Sequence, residues 1–100
     1  MLTSKQRAYL RSLATSIDTI IMVGKGGLSE QLYKSTDEAI TARELVKGKV
    51  LEACDIPVKE VASAIAQEIN AEVVQTIGTK FVLYRRNEDE PVIELPRGKK

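Results

Sequence analysis

Gly24-Lys25-Gly26-Gly27 is the segment of this 100-residue chain best equipped for chemistry, because three glycines in four positions surround one cation. Glycines let a backbone turn tightly and meet a ligand without a Cβ in the way. Ser29 follows closely and is a helix-capping residue, so the free amides and positive dipole end of a helix are expected just past the loop. Close approach, amide hydrogens and a cation together suit a phosphate group. The spacing argues against two phosphate-binding solutions. The loop lacks the GxxxxGK[ST] pattern of a nucleotide-hydrolysing site, and a G-x-G-x-x-G dinucleotide turn would require glycine at position 29, where Ser29 stands. A short GxxG loop that clamps a nucleic-acid backbone asks for nothing more than these residues supply. Taken alone, GxxG is equally an ordinary tight turn from strand to helix.

Further cations could extend such a site. Lys47 and Lys49 alternate and so share one strand face, either as a ligand track or as a solvated, edge-protecting row. Arg7 and Arg11 are four residues apart and neighbours on one helix face. Arg85 and Arg86 close the last apolar run, but consecutive strand residues point opposite ways. Arg85 shares a face with Phe81 and Leu83, Arg86 with Val82 and Tyr84, so at most one joins a given patch. Tyr84 is expected in the core with its hydroxyl at the rim rather than stacked on a base, and Met22 and Phe81 are expected in the core.

The chain has no histidine and one cysteine, Cys54. An intramolecular disulfide, a soft-metal site and a Cys–His nucleophile are thereby excluded, and Cys54 is expected as a small buried or loop residue. Losing histidine also removes the commonest general base at neutral pH. The clustered carboxylates Asp37-Glu38 and Glu88-Asp89-Glu90 fall on a helix surface and in a polar tail, where solvated charge is the default. No enzymatic activity, metal or cofactor is expected. No apolar run approaches the roughly 18 residues that span a bilayer, and Lys5, Arg7 and Arg11 interrupt any leader-like core. A soluble, cytoplasmic protein is expected. The net charge of +1 conceals an asymmetry: residues 1–50 carry eight basic against five acidic side chains, residues 51–100 seven against nine. Polyanion binding would use the first half.

The elements that must position these groups follow from periodicity. Thr3 with Gln6 is a capping-box pattern, and Leu10, Leu13, Ala14 and Ile17 recur at helical spacing, predicting a helix from about Ser4 to Ser16. Thr19 to Val23 reads as a strand buried on both faces because its apolar residues do not alternate. Ser29 starts a second helix to about Arg43, with Leu32, Ala39 and Ile40 inward. Leu45 to Leu51 is a second strand, with Lys47 and Lys49 opposite Val46, Gly48 and Val50. Pro57 opens a third helix whose stripe is Val58, Val61, Ala62, Ile65, Ala66 and Ile69. Ala71 to Ile77 and Lys80 to Arg86 form a hairpin about Gly78-Thr79. From Asn87 the tail is expected to be extended and only partly ordered. The fold class is therefore α/β in the order α-β-α-β-α-β-β, one domain over residues 1–100, with a four-stranded mixed sheet packed by helices. Two strand-helix-strand crossovers imply parallel pairing with right-handed connections, and the hairpin adds an antiparallel strand.

Five segments in this order resemble the CRM domain family (chloroplast RNA splicing and ribosome maturation), in particular its stand-alone bacterial YhbY-like members. They are Leu2-Thr3-Ser4-Lys5-Gln6-Arg7 with Leu10, Val23-Gly24-Lys25-Gly26-Gly27-Leu28-Ser29, Glu44-Leu45-Val46-Lys47-Gly48-Lys49-Val50, Ile77-Gly78 with Leu83-Tyr84-Arg85, and Ile93-Glu94-Leu95-Pro96-Arg97. The resemblance implies a fold like the C-terminal domain of bacterial translation initiation factor three with an added first helix. It also implies RNA binding by the loop Gly24, Lys25, Gly26 and Gly27 with Lys47 and Lys49 beside it. Gly48 departs from the pattern, since the family usually has a β-branched residue there.

The expected function is therefore an RNA-binding protein, a monomer, that associates with precursor large-subunit ribosomal RNA and assists ribosome assembly, with ribosomal proteins as neighbours. Arg11 and Arg85 would extend the phosphate track. The rival reading is a protein-interaction adaptor on the pre-ribosome, using the acidic third helix and the tail, with a purely structural glycine loop.

Overall fold

A computed structural model describes residues 2–95 of the chain. The elements are α1 (Ser4–Ala14), β1 (Thr19–Val23), α2 (Glu30–Arg43), β2 (Leu45–Val50), α3 (Val58–Ile69), β3 (Glu72–Ile77) and β4 (Lys80–Tyr84). They match the predicted order. The Pro96-Arg97 end of the family-like segments lies outside the described residues. No helix among the described residues is long and apolar enough to cross a membrane.

Local signals account for the helix boundaries. Thr3 and Gln6 cap each other reciprocally: the Thr3 hydroxyl accepts from the Gln6 amide, and the Gln6 side chain from the Thr3 amide. Ser29 caps α2 by accepting from the Leu32 amide at 3.1 Å. Helix α3 begins directly after Pro57 and ends at Asn70, whose left-handed backbone terminates the helix.

The sheet order is β1-β2-β4-β3. Among the described residues only β1 and β2 pair in parallel, while β4 pairs antiparallel with both β2 and β3. The mixed sheet is as expected, with the parallel pairing realised between β1 and β2. The hairpin folds back so that β4 enters between β2 and β3, and the second crossover spans a strand position instead of joining neighbours. One sheet face carries α2 and α3 over Ile21, Val23, Val46, Val50, Phe81 and Leu83. The other carries α1, with Leu10 and Ala14 over Leu45, Val74, Val82 and Tyr84. Burial on both faces explains why β4 reads as continuously apolar.

Strand β1 is an edge strand, and its burial alternates. Ile21 and Val23 are buried, whereas Ile20 and Met22 are 37% and 53% exposed. The core assignment of Met22 is therefore corrected: α1 does not cover the sheet's edge at that position. Phe81 is fully buried as expected.

Gly48 lies beneath the Phe81 ring, its antiparallel partner in β4. A Cβ at Gly48 would stand 2.2 Å from Phe81 Cζ. The missing side chain is the space the ring occupies, a cross-strand aromatic covering a glycine. The departure from the family pattern at position 48 is thus matched by Phe81.

Glu44, between α2 and β2, is fully buried and has a backbone φ of 67°. Its carboxylate accepts from the amides of Asn87 (2.7 Å), Val92 (2.8 Å) and Ile93 (2.6 Å). Burial pushes its pKa up, but these three donors and the charge of Arg86 outweigh that and hold it below the ordinary value. The segment after β4 is therefore not loose over the described residues. Glu44 pins it, and Ile93 and Leu95 pack against the α1-side core.

Candidate nucleic-acid interface

Strands β1 and β2 both end at the glycine loop, and β4 starts there. Leu51 donates from its amide to the Val23 carbonyl and Val50 to the Thr79 carbonyl, at 2.8 Å each, which draws the strand ends and the hairpin tip together. Gly24-Lys25-Gly26-Gly27 is a tight turn closed by the Gly27 amide donating to the Gly24 carbonyl at 2.9 Å. Lys25 and Gly26 form its exposed tip.

The three loop glycines are not equivalent. Gly27 has φ of 61°, a left-handed backbone that disfavours any side chain, and a Cβ there would touch Ile56 at 3.4 Å. Gly24 would accept a Cβ in ordinary contact with Leu51 at 3.6 Å, and a Cβ on Gly26 would meet nothing within 4 Å. The fold thus requires glycine at 27 and makes no such demand at 26.

Next to the loop lies a groove of about 400 Å³ lined by the edge of β1, the glycines and the first turns of α2 at Ser29, Gln31, Leu32 and Ser35. None of its lining residues carries a carboxylate. The first-turn amides of α2 open toward this end of the molecule, since no helical carbonyl precedes them.

The remaining sequence-predicted cations divide. Lys47 and Lys49 share the α1-side face with Leu45, but Lys47 is drawn beneath the helix, where its Nζ donates to the Ala14 carbonyl at 3.0 Å and so serves the C-terminus of α1. Lys49 is half-buried, and its antiparallel partner is Lys80. Sequence reasoning missed Lys80, although the register of a two-residue hairpin at Gly78-Thr79 carries the signal. Arg11 is exposed on α1, over the same sheet face. Its neighbour Arg7 instead reaches the Val73 carbonyl at the irregularity in β3.

Arg85 is the clear misfit. It follows β4 at the end away from the loop and points to the α2–α3 face. There its guanidinium meets Asp37 at 2.6 Å, the Ile69 carbonyl at 2.7 Å and the Thr41 hydroxyl. It ties α2 to the end of α3, and its inclusion in a phosphate track with the loop is corrected on that ground. Arg86, also at the far end, is within 4.0 Å of Glu88. Tyr84 is buried as expected, but its hydroxyl does not reach the rim: it has no partner among the described residues. Burial, then the nearby charge of Glu44, raises its pKa. Cys54 is half-buried beside the α2–α3 core as a free thiol. The candidate groups left without a structural role among the described residues are thus Lys25 at the turn, the paired Lys49 and Lys80, and the exposed Arg11 on α1.

Comparison with known proteins agrees with this architecture. The chain matches the CRS1/YhbY (CRM) domain over residues 2–85. It is 43% identical to a probable RNA-binding protein, YqeI, of Bacillus subtilis (strain 168), over 96% of this chain and all of that protein. It is 38% identical to an RNA-binding protein of Haemophilus influenzae over 96% of each. The solution structure of the hypothetical protein SAV1595 from Staphylococcus aureus superposes with a TM-score of 0.80, at 44% identity over 96% of this chain and all of that one. The chain belongs to the CRS1/YhbY (CRM) domain family.

Proposed function

We propose that the protein binds RNA without catalysing a reaction, through the Gly24–Gly27 turn and the cations at that end of the sheet. Its target is large-subunit ribosomal RNA precursor, and its role is to occupy immature RNA during ribosome assembly in the cytoplasm until folding or another protein displaces it. RNA phosphates sit on the loop amides and Lys25, with Lys49, Lys80 and Arg11 extending the positive surface. The low net charge implies that shape or unpaired bases contribute to recognition alongside charge.

The observation that carries this reading is Gly26. It stands at an exposed tip where a side chain would meet nothing, so the fold does not require its glycine and a close-approaching ligand does. The named RNA-binding relatives support it. The test is RNA affinity of Gly26→Asp and Lys25→Ala against salt, measured by fluorescence anisotropy. Both variants are expected to fold. Gly26→Asp should abolish most binding, and Lys25→Ala should weaken it across sequences while reducing the salt slope by about 0.7 to 0.9, the value for one phosphate contact. An unchanged slope removes Lys25 from the interface, and unchanged affinity in both variants removes the loop.

A further inference from the structure

The exposed edge of β1 is unexplained by phosphate binding alone. Folding leaves Ile20 and Met22 uncovered, Met22 by half, and both line the groove beside the glycine turn. The backbone there is open too. In a parallel pair, alternate residues of a strand direct both peptide groups to the partner. Val23 is one of these, since its carbonyl accepts from the Leu51 amide across to the β2 side. Met22 therefore turns its N–H and C=O outward, at an edge with no further strand among the described residues. A donor and an acceptor side by side, flanked by apolar surface, are what the edge and face of a nucleobase require.

We propose that this groove is a nucleobase site, taking one unpaired base of single-stranded RNA. The base edge hydrogen-bonds the Met22 peptide groups, and its ring lies between Ile20 and Met22 on one side of the sheet and Leu32 of α2 on the other. This rests on the RNA-binding reading above and adds a ligand class to it. The charge distribution fits: Lys25 stands at the loop tip, Lys49 is the β2 partner of Met22, and no carboxylate lines the groove, so the flanking phosphates meet cations on both sides. A paired base could not enter, because its edge is already used. A peptide strand fits less well. Strand β1 has five residues and its register is irregular between Thr19 and Ile21, which leaves an edge too short and uneven for a ladder.

The test uses the full chain with a single-stranded octaribonucleotide and the same RNA annealed to its complement. Amide exchange and chemical shift of Met22 are followed by NMR, and affinities are measured for wild type, Met22→Ser and Gly26→Asp. The single strand should protect the Met22 amide and move its resonance, and the duplex should not. Met22→Ser should weaken single-strand binding about five- to tenfold, the low end for losing one stacked base, and leave duplex binding unchanged. If Gly26→Asp loses binding while Met22→Ser does not and the Met22 amide stays unprotected, the base site is overturned and the loop reading stands. Equal protection by the duplex also overturns it. If Gly26→Asp binds as wild type does, the loop-centred reading fails, and if wild type binds neither RNA, the RNA-binding reading itself fails.

Discussion

Gly48 is the position where the packing beneath the basic strand can be tested most sharply. A Cβ there would lie 2.2, 2.6 and 2.8 Å from three atoms of the Phe81 ring, against the ordinary 3.5–4.0 Å between carbons. The ring would have to retreat by about 1.3 Å or more in a core where it is fully buried. Overpacking of this kind costs about 1–3 kcal/mol, of which relief from glycine's entropy in a strand returns about 0.5–1 kcal/mol. Gly48→Ala should therefore destabilise by up to about 2.5 kcal/mol, and Gly48→Val by more. Phe81→Ala alone should cost about 3–5 kcal/mol. The double variant Gly48→Val with Phe81→Ala refills part of the vacated space and should cost less than the two single changes together, by about 1–3 kcal/mol of coupling. The assay is urea unfolding at constant m-value. Additivity within about 0.5 kcal/mol would refute the claim that the ring occupies the missing side chain's place.

Other consequences follow from buried polar groups. Because folding lowers the Glu44 pKa, its stabilisation is fully present above the ordinary carboxylate value of 4.5 and is lost as pH falls through the lower folded value. Glu44→Gln should cost about 1–3 kcal/mol at neutral pH and flatten the acid limb of a stability–pH curve. Arg85→Ala should lower the unfolding midpoint by removing the link between Asp37, Thr41 and the Ile69 carbonyl. It should leave RNA affinity and its salt slope unchanged, which separates it from Lys25→Ala in the same titration. Tyr84→Phe removes a buried hydroxyl without a partner and should be neutral or stabilising by up to about 1 kcal/mol in thermal unfolding.

What the sequence made legible was local. The stripe of α3, the Thr3–Gln6 and Ser29 caps and the hairpin at Gly78-Thr79 each depend on residues a few positions apart, and all appear where their spacing puts them. The placement of β4 between β2 and β3 depends on pairing choices far apart in the chain, which periodicity does not encode. The misplacement of Met22 has the same origin: five consecutive residues without strongly polar side chains look alike whether buried on both faces or lying at an edge. The loop was legible as a candidate site because glycine and lysine types carry the chemistry, but which glycine the fold requires emerged only from backbone angles and neighbours. Lys47 and Arg85 were read as free cations because their partners, the Ala14 carbonyl and Asp37, are 33 and 48 residues away. Glu44 left one unread signal, a carboxylate at a helix C-terminus where the dipole disfavours it.

Ultraviolet crosslinking in cells, comparing wild type with Gly26→Asp, tests the central claim most directly. Gly27 is left intact because its left-handed backbone makes any variant there a test of folding. Crosslinks concentrated in one region of large-subunit ribosomal RNA precursor, and lost in the folded variant, are expected. Crosslinks that persist in the variant would contradict a loop-centred interface, and none from either protein would contradict RNA binding and favour a protein-interaction adaptor.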